Sequence, residues 1–239
     1  MNCLKVMARP RRIQIPGLFR HVMARGNGRM RIFLDDMDYR KFVDVLAEVV
    51  EDSDIECWNY CVMPNHYHVT LCPTRPNLSE AIRRINSAYA QWWNNRHERV
   101  GHVFQGRFKD QIVQRDEYLL VLCRYVALNP VRAGLSERPE DWEWSSYAAT
   151  LGLRPLRPFV AVPSVLRQFG DDDESVLRKR LSEFVLGRIA TECTDDRIRS
   201  RERILGSKAF KVSIGALAGR RISALDSVLP DANGAITCL

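Results

Sequence analysis

Hydrophobic and polar positions alternate over residues 17–26 (GLFRHVMARG), which predicts a β-strand. One face of this strand carries Phe19, His21, Met23 and Arg25. After Asp35 and Asp36, which are suitable N-caps, the spacing changes to that of a helix and continues to about Val50. The first two predicted elements are therefore a strand and an amphipathic helix.

Over roughly the next 75 residues, the periodicity of hydrophobic positions predicts five more elements. These are a strand at 55–63, a strand at 66–72, a helix from Asn77 or Ser79 to about Arg96, a strand at 107–114, and a helix at 117–129. Pro64 and Asn65 form a turn signal, so the first two of these strands are expected to pair as a hairpin. Asp116 suits the start of the last helix, and Pro130 predicts its end.

The resulting order, β-α-β-β-α-β-α, is typical of an α+β fold of the ferredoxin-like, split βαβ kind with one extra helix. We expect a four-stranded, mainly antiparallel sheet with its helices on one face. Beyond Tyr147 the composition changes, with a proline-containing linker and then an amphipathic helix at 174–190. The predicted domains are a first domain at 9–150 and a helical, basic C-terminal extension at 151–239.

Composition places the chain among ordinary globular proteins, with 239 residues, 46% of them hydrophobic and 27% charged. No segment approaches the roughly 20 apolar residues needed to cross a bilayer, and no secretory signal is recognisable. We therefore expect a cytoplasmic protein without a membrane partner. The seven cysteines are scattered and never spaced C-x-x-C, which favours reduced thiols over a zinc site.

Basic residues are concentrated in two segments of a chain whose formal net charge is +7. Residues 1–34 contain eight basic side chains and no acidic one, and residues 197–221 contain another eight against the single Glu202. Such segments suit a polyanionic partner, but most basic runs are solvated protein surface. Charge alone therefore leaves nucleic-acid binding and an ordinary surface equally open.

Candidate chemistry begins with His66 and His68, which lie two apart in a strand and so project from the same face. Two imidazoles with one more ligand can hold Mg²⁺, Mn²⁺ or Zn²⁺, although such pairs more often serve packing. Tyr125 and Asn129 lie four apart on the last predicted helix and share its face. Asn129 can supply an amide oxygen to a metal beside the Tyr125 phenol. Alternatively, Tyr125 is a core aromatic and Asn129 only precedes a proline.

Five blocks between Arg9 and Tyr147, in order, resemble the REP-associated tyrosine transposases, relatives of the single-tyrosine HUH transposases of small insertion sequences. The blocks are HVMARGNGRMRIFLDD, CVMPNHYHVTLC, GHVFQGRFKDQIV, RYVALNPVRAGL and DWEWSSY. The resemblance implies that Tyr125 is the nucleophile and that His66, His68 and Asn129 bind Mg²⁺ or Mn²⁺. It also implies cleavage and rejoining of single-stranded DNA near hairpins of palindromic repeats, through a 5′-phosphotyrosine intermediate. Relatives act as monomers or as homodimers, and we expect a monomer.

Cationic and polar side chains near the predicted site are candidate DNA contacts. These are Arg25, Asn27, Arg29, Arg83, Arg84, Arg107 and Lys109. Trp92, Trp93 and Phe108 can stack on unpaired bases or fill the core; we expect Trp92 and Phe108 in the core and leave Trp93 open. Two other functions stay possible at this point. One is a DNA-binding protein that does not cut, and the other is a metal phosphodiesterase that uses water instead of tyrosine.

Overall fold

The computed structural model describes residues 12–115, 117–187, 198 and 202–219. The predicted domain start at residue 9, the Asp116 cap and the chain after residue 219 lie outside the described residues. The strands are β1 (Phe19–Arg25), β2 (Ile55–Met63), β3 (His66–Pro73), β4 (Lys109–Val113) and β5 (Ile204–Leu205). The α-helices are α1 (Asp36–Asp52), α2 (Leu78–Arg96), α3 (Glu117–Arg132), α4 (Tyr147–Thr150), α5 (Val162–Leu166), α6 (Glu174–Leu186) and α7 (Lys208–Leu217).

The strands form one sheet in the order β2-β3-β1-β4-β5. All neighbouring strands are antiparallel except β4 and β5, which are parallel. The α+β, ferredoxin-like prediction is confirmed, but the prediction of four strands is wrong because the C-terminal region adds β5. This strand pairs only Ile204 and Leu205 with Ile112 and Val113, and two residues are too few to show an alternating pattern.

Helices cover both faces of the sheet, so the expectation of helices on one face is wrong. On one face, α1 and α2 share a core with strand residues such as Val22 and Val69. On the other face, α3 packs against Phe19, Trp58 and Cys61. Strand residues point alternately to the two sides, and here both sides carry apolar residues that require a helical cover.

The start of α1 and the end of α3 test the local sequence signals for helix boundaries. The Asp35 side chain accepts hydrogen bonds from the backbone N–H groups of Met37 and Asp38, so the predicted cap of α1 is confirmed. The predicted stop at Pro130 is wrong, because α3 continues to Arg132 with the proline inside it. A proline removes one backbone hydrogen bond but keeps a helical φ, and the last turn remains closed by Ala133 N–H to the Asn129 carbonyl at 3.1 Å.

Segments after residue 142 close both edges of the sheet. Backbone hydrogen bonds join Val62 to Trp144 at 2.8 Å and Cys57 to Ala161 at 2.8 Å, which covers the outer edge of β2. The other edge, along β4, is covered by β5. Unpaired edge strands invite association with other chains, and here the chain itself supplies the cover. The domain boundary near residue 150 stays a prediction.

Of the two tryptophans of α2, Trp92 was expected in the core and Trp93 was left open. Trp93 is 2% exposed and belongs to the core, whereas Trp92 is only partly buried and packs at its margin. Phe108 is buried, as predicted. In the described part of the chain the cysteines are free thiols, and none of the described helices is long and apolar enough to cross a membrane.

Candidate active site

The two histidines of the H-x-H pair lie next to each other on the sheet face that α3 covers. In the ladder between β1 and β3, His66 is opposite Arg25 and His68 is opposite Met23. The imidazole centroids of His66 and His68 are 4.9 Å apart, and the rings are nearly perpendicular at 82°. We call this side of the sheet the histidine face, because His21 of β1 also projects from it.

Helix α3 places Tyr125 directly over the histidine face. Its ring centroid lies 5.6 Å from that of His68 and 6.0 Å from that of His21, edge-on in both cases. The helix is fixed there by Leu119, Leu122 and Val126, which are spaced along one side and pack into the core shared with β1 and β2. The predicted proximity of the phenol and the histidines is therefore present in the fold.

Asn129 follows Tyr125 by one turn of α3. Its side-chain nitrogen donates to the Tyr125 carbonyl at 2.8 Å, so one of its two amide hydrogens is engaged by the helix itself. The amide oxygen is the atom of this side chain that can bind a metal. No contact between Asn129 and His66 or His68 is recorded among the described residues, and its role as a ligand stays a prediction.

Hydrogen bonds define which nitrogen of His66 carries a proton. The Asn65 side-chain nitrogen donates to the Arg29 carbonyl at 3.2 Å, which turns the Asn65 oxygen toward His66. That oxygen lies 2.6 Å from His66 Nδ1 and can only accept, so His66 Nδ1 donates. A neutral His66 then carries its lone pair on Nε2, which is the form that binds a metal ion.

His68 makes a contact that the sequence did not lead us to expect. Its Nδ1 lies 2.8 Å from Nε2 of His21, and the two rings stack with centroids 5.1 Å apart. His21 Nδ1 in turn lies 2.9 Å from the side-chain oxygen of Gln111 on β4. The Gln111 nitrogen donates to the Glu202 carbonyl at 2.8 Å, just before β5. A continuous chain of hydrogen bonds thus crosses the sheet from His68 to the C-terminal segment.

Burial keeps all three imidazoles uncharged at neutral pH. It lowers the pKa of His21 to about 4. It also lowers the pKa of His66 to about 4, with a further contribution from the Arg25 charge. The pKa of His68 is well below its ordinary value, because of burial first and the neighbouring His21, His66 and Arg25 second. Neutral imidazoles are the form that metal ligation requires, so the pair fits a divalent ion.

The donor set around this pair is small. Among the described residues, no group of three or more His, Cys, Asp or Glu side chains is arranged to hold a metal. A metal at His66 and His68 would therefore be completed by the Asn129 amide oxygen, by water or by phosphate oxygens of a substrate. Such an open set is suited to catalysis rather than to a closed structural site.

Five of the predicted DNA contacts gather at the end of the sheet where His66 lies. Arg25 is opposite His66, and Lys109 is opposite Met23, so both belong to the histidine face. Asn27 and Arg29 are exposed in the turn after β1, and Arg107 is exposed just before β4. The ends of β1, β3 and β4 meet here because the strands are antiparallel.

Arg83 and Arg84 lie elsewhere. Both belong to α2, which packs on the opposite side of the sheet from α3. Arg83 forms an ion pair with Glu80 at 2.5 Å, and Arg84 forms one with Asp52 at 2.8 Å. The sheet separates them from the histidine face, and their contact with DNA stays a prediction.

Three residues of the site were not singled out from the sequence: His21, Gln111 and Arg132. The Arg132 guanidinium carbon lies 5.5 Å from the Tyr125 ring centroid, and the spacing of seven residues indicates only that the two share one face of α3. The sequence pattern placed His21 on the strand face that ends in Arg25, but gave it no role. The pairing of β1 with both β3 and β4 was needed to place it between His68 and Gln111.

Comparisons with known proteins bear on the family and the fold of this chain. The family model described as IS200-like transposase matches residues 15–129. A Haemophilus influenzae protein assigned to the REP-associated tyrosine transposases is 25% identical over 130 residues, which cover 50% of this chain and 73% of the relative. A solved REP-associated tyrosine transposase bound to a REP hairpin has a TM-score of 0.53 at 20% identity, covering 64% of this chain and 90% of that chain. The predicted resemblance to the REP-associated tyrosine transposases is confirmed, since residues 15–129 match the IS200-like family model and the curated relative carries that assignment.

Proposed function

We propose that this protein cleaves and rejoins single-stranded DNA next to hairpins of palindromic repeats, through a covalent 5′-phosphotyrosine at Tyr125. The observation that carries the proposal is the position of the Tyr125 ring, 5.6 Å from His68 over a face with two neutral, metal-competent imidazoles. The solved relative bound to a REP hairpin supports the choice of substrate. The reaction takes place in the cytoplasm, where chromosomal repeats are accessible.

The reaction exchanges one phosphodiester for another. The Tyr125 oxygen attacks the scissile phosphorus and loses its proton, the bond from phosphorus to the 3′ oxygen breaks, and that oxygen gains a proton. The product is a 5′-phosphotyrosine and a free 3′ hydroxyl, and attack by a 3′ hydroxyl reverses the step. Because no net hydrolysis occurs, the energy of the phosphodiester is kept for rejoining.

His66, His68 and Asn129 would hold Mg²⁺ or Mn²⁺, and a divalent ion bound there would polarise the phosphate and stabilise charge in the transition state. The two histidines can serve this role without losing a proton, because burial already keeps them neutral. A phenol with an ordinary pKa near 10 needs such help. Arg132, whose guanidinium lies over the Tyr125 ring, adds positive charge beside the attacking group.

Positive charge at the His66 end of the sheet positions the DNA strand. The proposed phosphate contacts there are Arg25, Asn27, Arg29, Arg107 and Lys109. Two more proposed contacts, Arg83 and Arg84, lie on α2 and would meet DNA that extends around the protein. Their existing ion pairs predict weaker contributions, because a phosphate must compete with a carboxylate for each guanidinium.

One chain holds both parts of the site, because Tyr125 contacts His68 of its own sheet. A homodimer that exchanges α3 would instead bring the tyrosine from a second chain. We therefore propose that the protein acts as a monomer, with the nucleophile and the metal ligands in cis.

The proposal is tested with end-labelled single-stranded DNA that carries chromosomal palindromic repeats, incubated with Mg²⁺ or Mn²⁺ or with EDTA. We expect ion-dependent cleavage and a protein–DNA adduct, both absent from Tyr125→Phe. His66→Ala should lose cleavage but still bind the hairpin. Cleavage without an adduct would instead indicate hydrolysis by water, and hairpin binding without cleavage would indicate a DNA-binding protein that does not cut.

A further inference from the structure

A row of polar side chains, buried at its two histidines and partly buried at its glutamine, crosses the histidine face from β3 to β4. It contains His68, His21 and Gln111 in that order, with successive contacts of 2.8 and 2.9 Å. His68 is 2% exposed and His21 is 4% exposed, so water does not supply alternative partners for these nitrogens. Each hydrogen bond in the row therefore has a direction that can be worked out from its neighbours.

The direction is set at the Gln111 end. The Gln111 nitrogen donates to the Glu202 carbonyl at 2.8 Å, and a carbonyl oxygen can only accept. The Gln111 oxygen therefore faces His21 and accepts from His21 Nδ1, which must carry the proton. A neutral His21 then has a bare Nε2, and His68 Nδ1 must donate to it.

We infer that His21 and Gln111 are positioning residues, which hold His68 in the Nδ1–H tautomer and leave its Nε2 lone pair for a divalent cation. The role toward a cation rests on the proposed function. His66 reaches the same tautomer by a separate route, through the oxygen of Asn65. Both histidines thus present the same nitrogen, each fixed by an amide whose other end is bound to backbone.

Partners that orient a ligating histidine have a measurable effect on binding. Loss of such a partner typically weakens metal affinity 10- to 100-fold. In this protein, a Gln111→Leu change removes the acceptor for His21 Nδ1. His21 can then carry its proton on Nε2, where it opposes the Nδ1 proton of His68 and breaks the row.

Gln114, three residues after Gln111 and directly after β4, supplies a matched control. The Gln114 oxygen accepts from the backbone N–H of Ser207 at 2.7 Å, so Gln114, like Gln111, binds the C-terminal segment to the end of the sheet. Within the described part of the chain, Gln114 makes no hydrogen bond to His21. Gln114→Leu therefore loosens the same segment while the row stays intact.

The first readout is the histidine tautomers, measured by ¹⁵N NMR of the metal-free full-length protein at pH 7.5. We expect wild type and Gln114→Leu to show protonated Nδ1 and bare Nε2 at both His21 and His68. Gln111→Leu should show mixed tautomers. A wild-type His68 protonated on Nε2 would overturn the inference without reference to any variant.

The second readout is Mn²⁺ affinity, measured by electron paramagnetic resonance with thermal unfolding as a check of the fold. Gln111→Leu should bind Mn²⁺ about 10- to 100-fold more weakly, and Gln114→Leu should stay near wild type. Equal affinity in wild type and Gln111→Leu, or equal losses in Gln111→Leu and Gln114→Leu, would contradict a positioning role. Neither readout uses DNA, so a failure to cleave DNA would count against the proposed function alone.

Discussion

Acid should destabilise the metal-free protein through its buried histidines, and His21 permits a worked estimate. Its pKa is about 4 in the folded protein because of burial, against about 6.5 in an unfolded chain. Between these values the unfolded state binds more protons than the folded state, so stability falls as the pH drops from about 6.5 toward 4. At pH 5 the unfolded imidazole is almost fully protonated, whereas the folded one is roughly one tenth protonated.

The resulting cost is about 2 kcal/mol at pH 5 relative to pH 8 for His21 alone. His66 and His68 act in the same direction, since burial lowers their pKa values as well. Replacement of His21 by Gln removes one of these titrating groups and leaves the other two. The variant should therefore lose about 2 kcal/mol less stability than wild type between pH 8 and pH 5.

Urea unfolding in EDTA at the two pH values measures this difference. The control is His102→Gln, the same kind of change at an exposed histidine in the loop before β4. Absolute stabilities of the variants do not matter, since only the change between the two pH values is compared. An equal loss in wild type and His21→Gln would refute the view that His21 is buried in its neutral form.

Three further predictions concern the core, the arrangement of the site and the DNA contacts. Trp93→Ala should destabilise the protein by about 3–5 kcal/mol and Trp92→Ala by clearly less, as measured by urea unfolding. Equal losses of stability would contradict the difference in burial between the two rings. A mixture of His66→Ala and Tyr125→Phe should not cleave DNA, because the site is built in cis; restored cleavage would indicate an exchanged α3. Arg107→Ala should reduce the slope of log affinity against log salt by about 0.7, and an unchanged slope would remove this residue from the interface.

The fold was predictable wherever a pattern was long enough. The nine-residue strand Ile55–Met63 has the predicted bounds, and α1 and α2 begin and end within two residues of expectation. β5 was not predictable, since its two residues gain their strand conformation from pairing with β4. The prediction that α3 ends at Pro130 was wrong, because the packing of α3 against the sheet outweighs the loss of one backbone hydrogen bond.

The site was predictable only in part, because sequence spacing reports neighbours within one element. Periodicity placed His66 with His68 on one strand face, and Tyr125 with Asn129 on one helix face. The meeting of the two pairs came from a family resemblance and from the order of elements. The His21–Gln111 pair depends on the register of β1 against β4, which neither composition nor period specifies. The same limit applies to Arg83 and Arg84, whose charge suggested DNA contact but whose helix lies on the opposite side of the sheet.

The central claim is that Tyr125 is the nucleophile, and mapping of the protein–DNA adduct tests it most directly. Tyr118 lies on the same helix, two turns earlier, so Tyr118→Phe is a matched control for Tyr125→Phe. After incubation with hairpin-flanked single-stranded DNA and Mn²⁺, mass spectrometry should find the nucleotide on the peptide that contains Tyr125, in wild type and in Tyr118→Phe. An adduct that persists in Tyr125→Phe, or one that maps to another residue, would contradict the account.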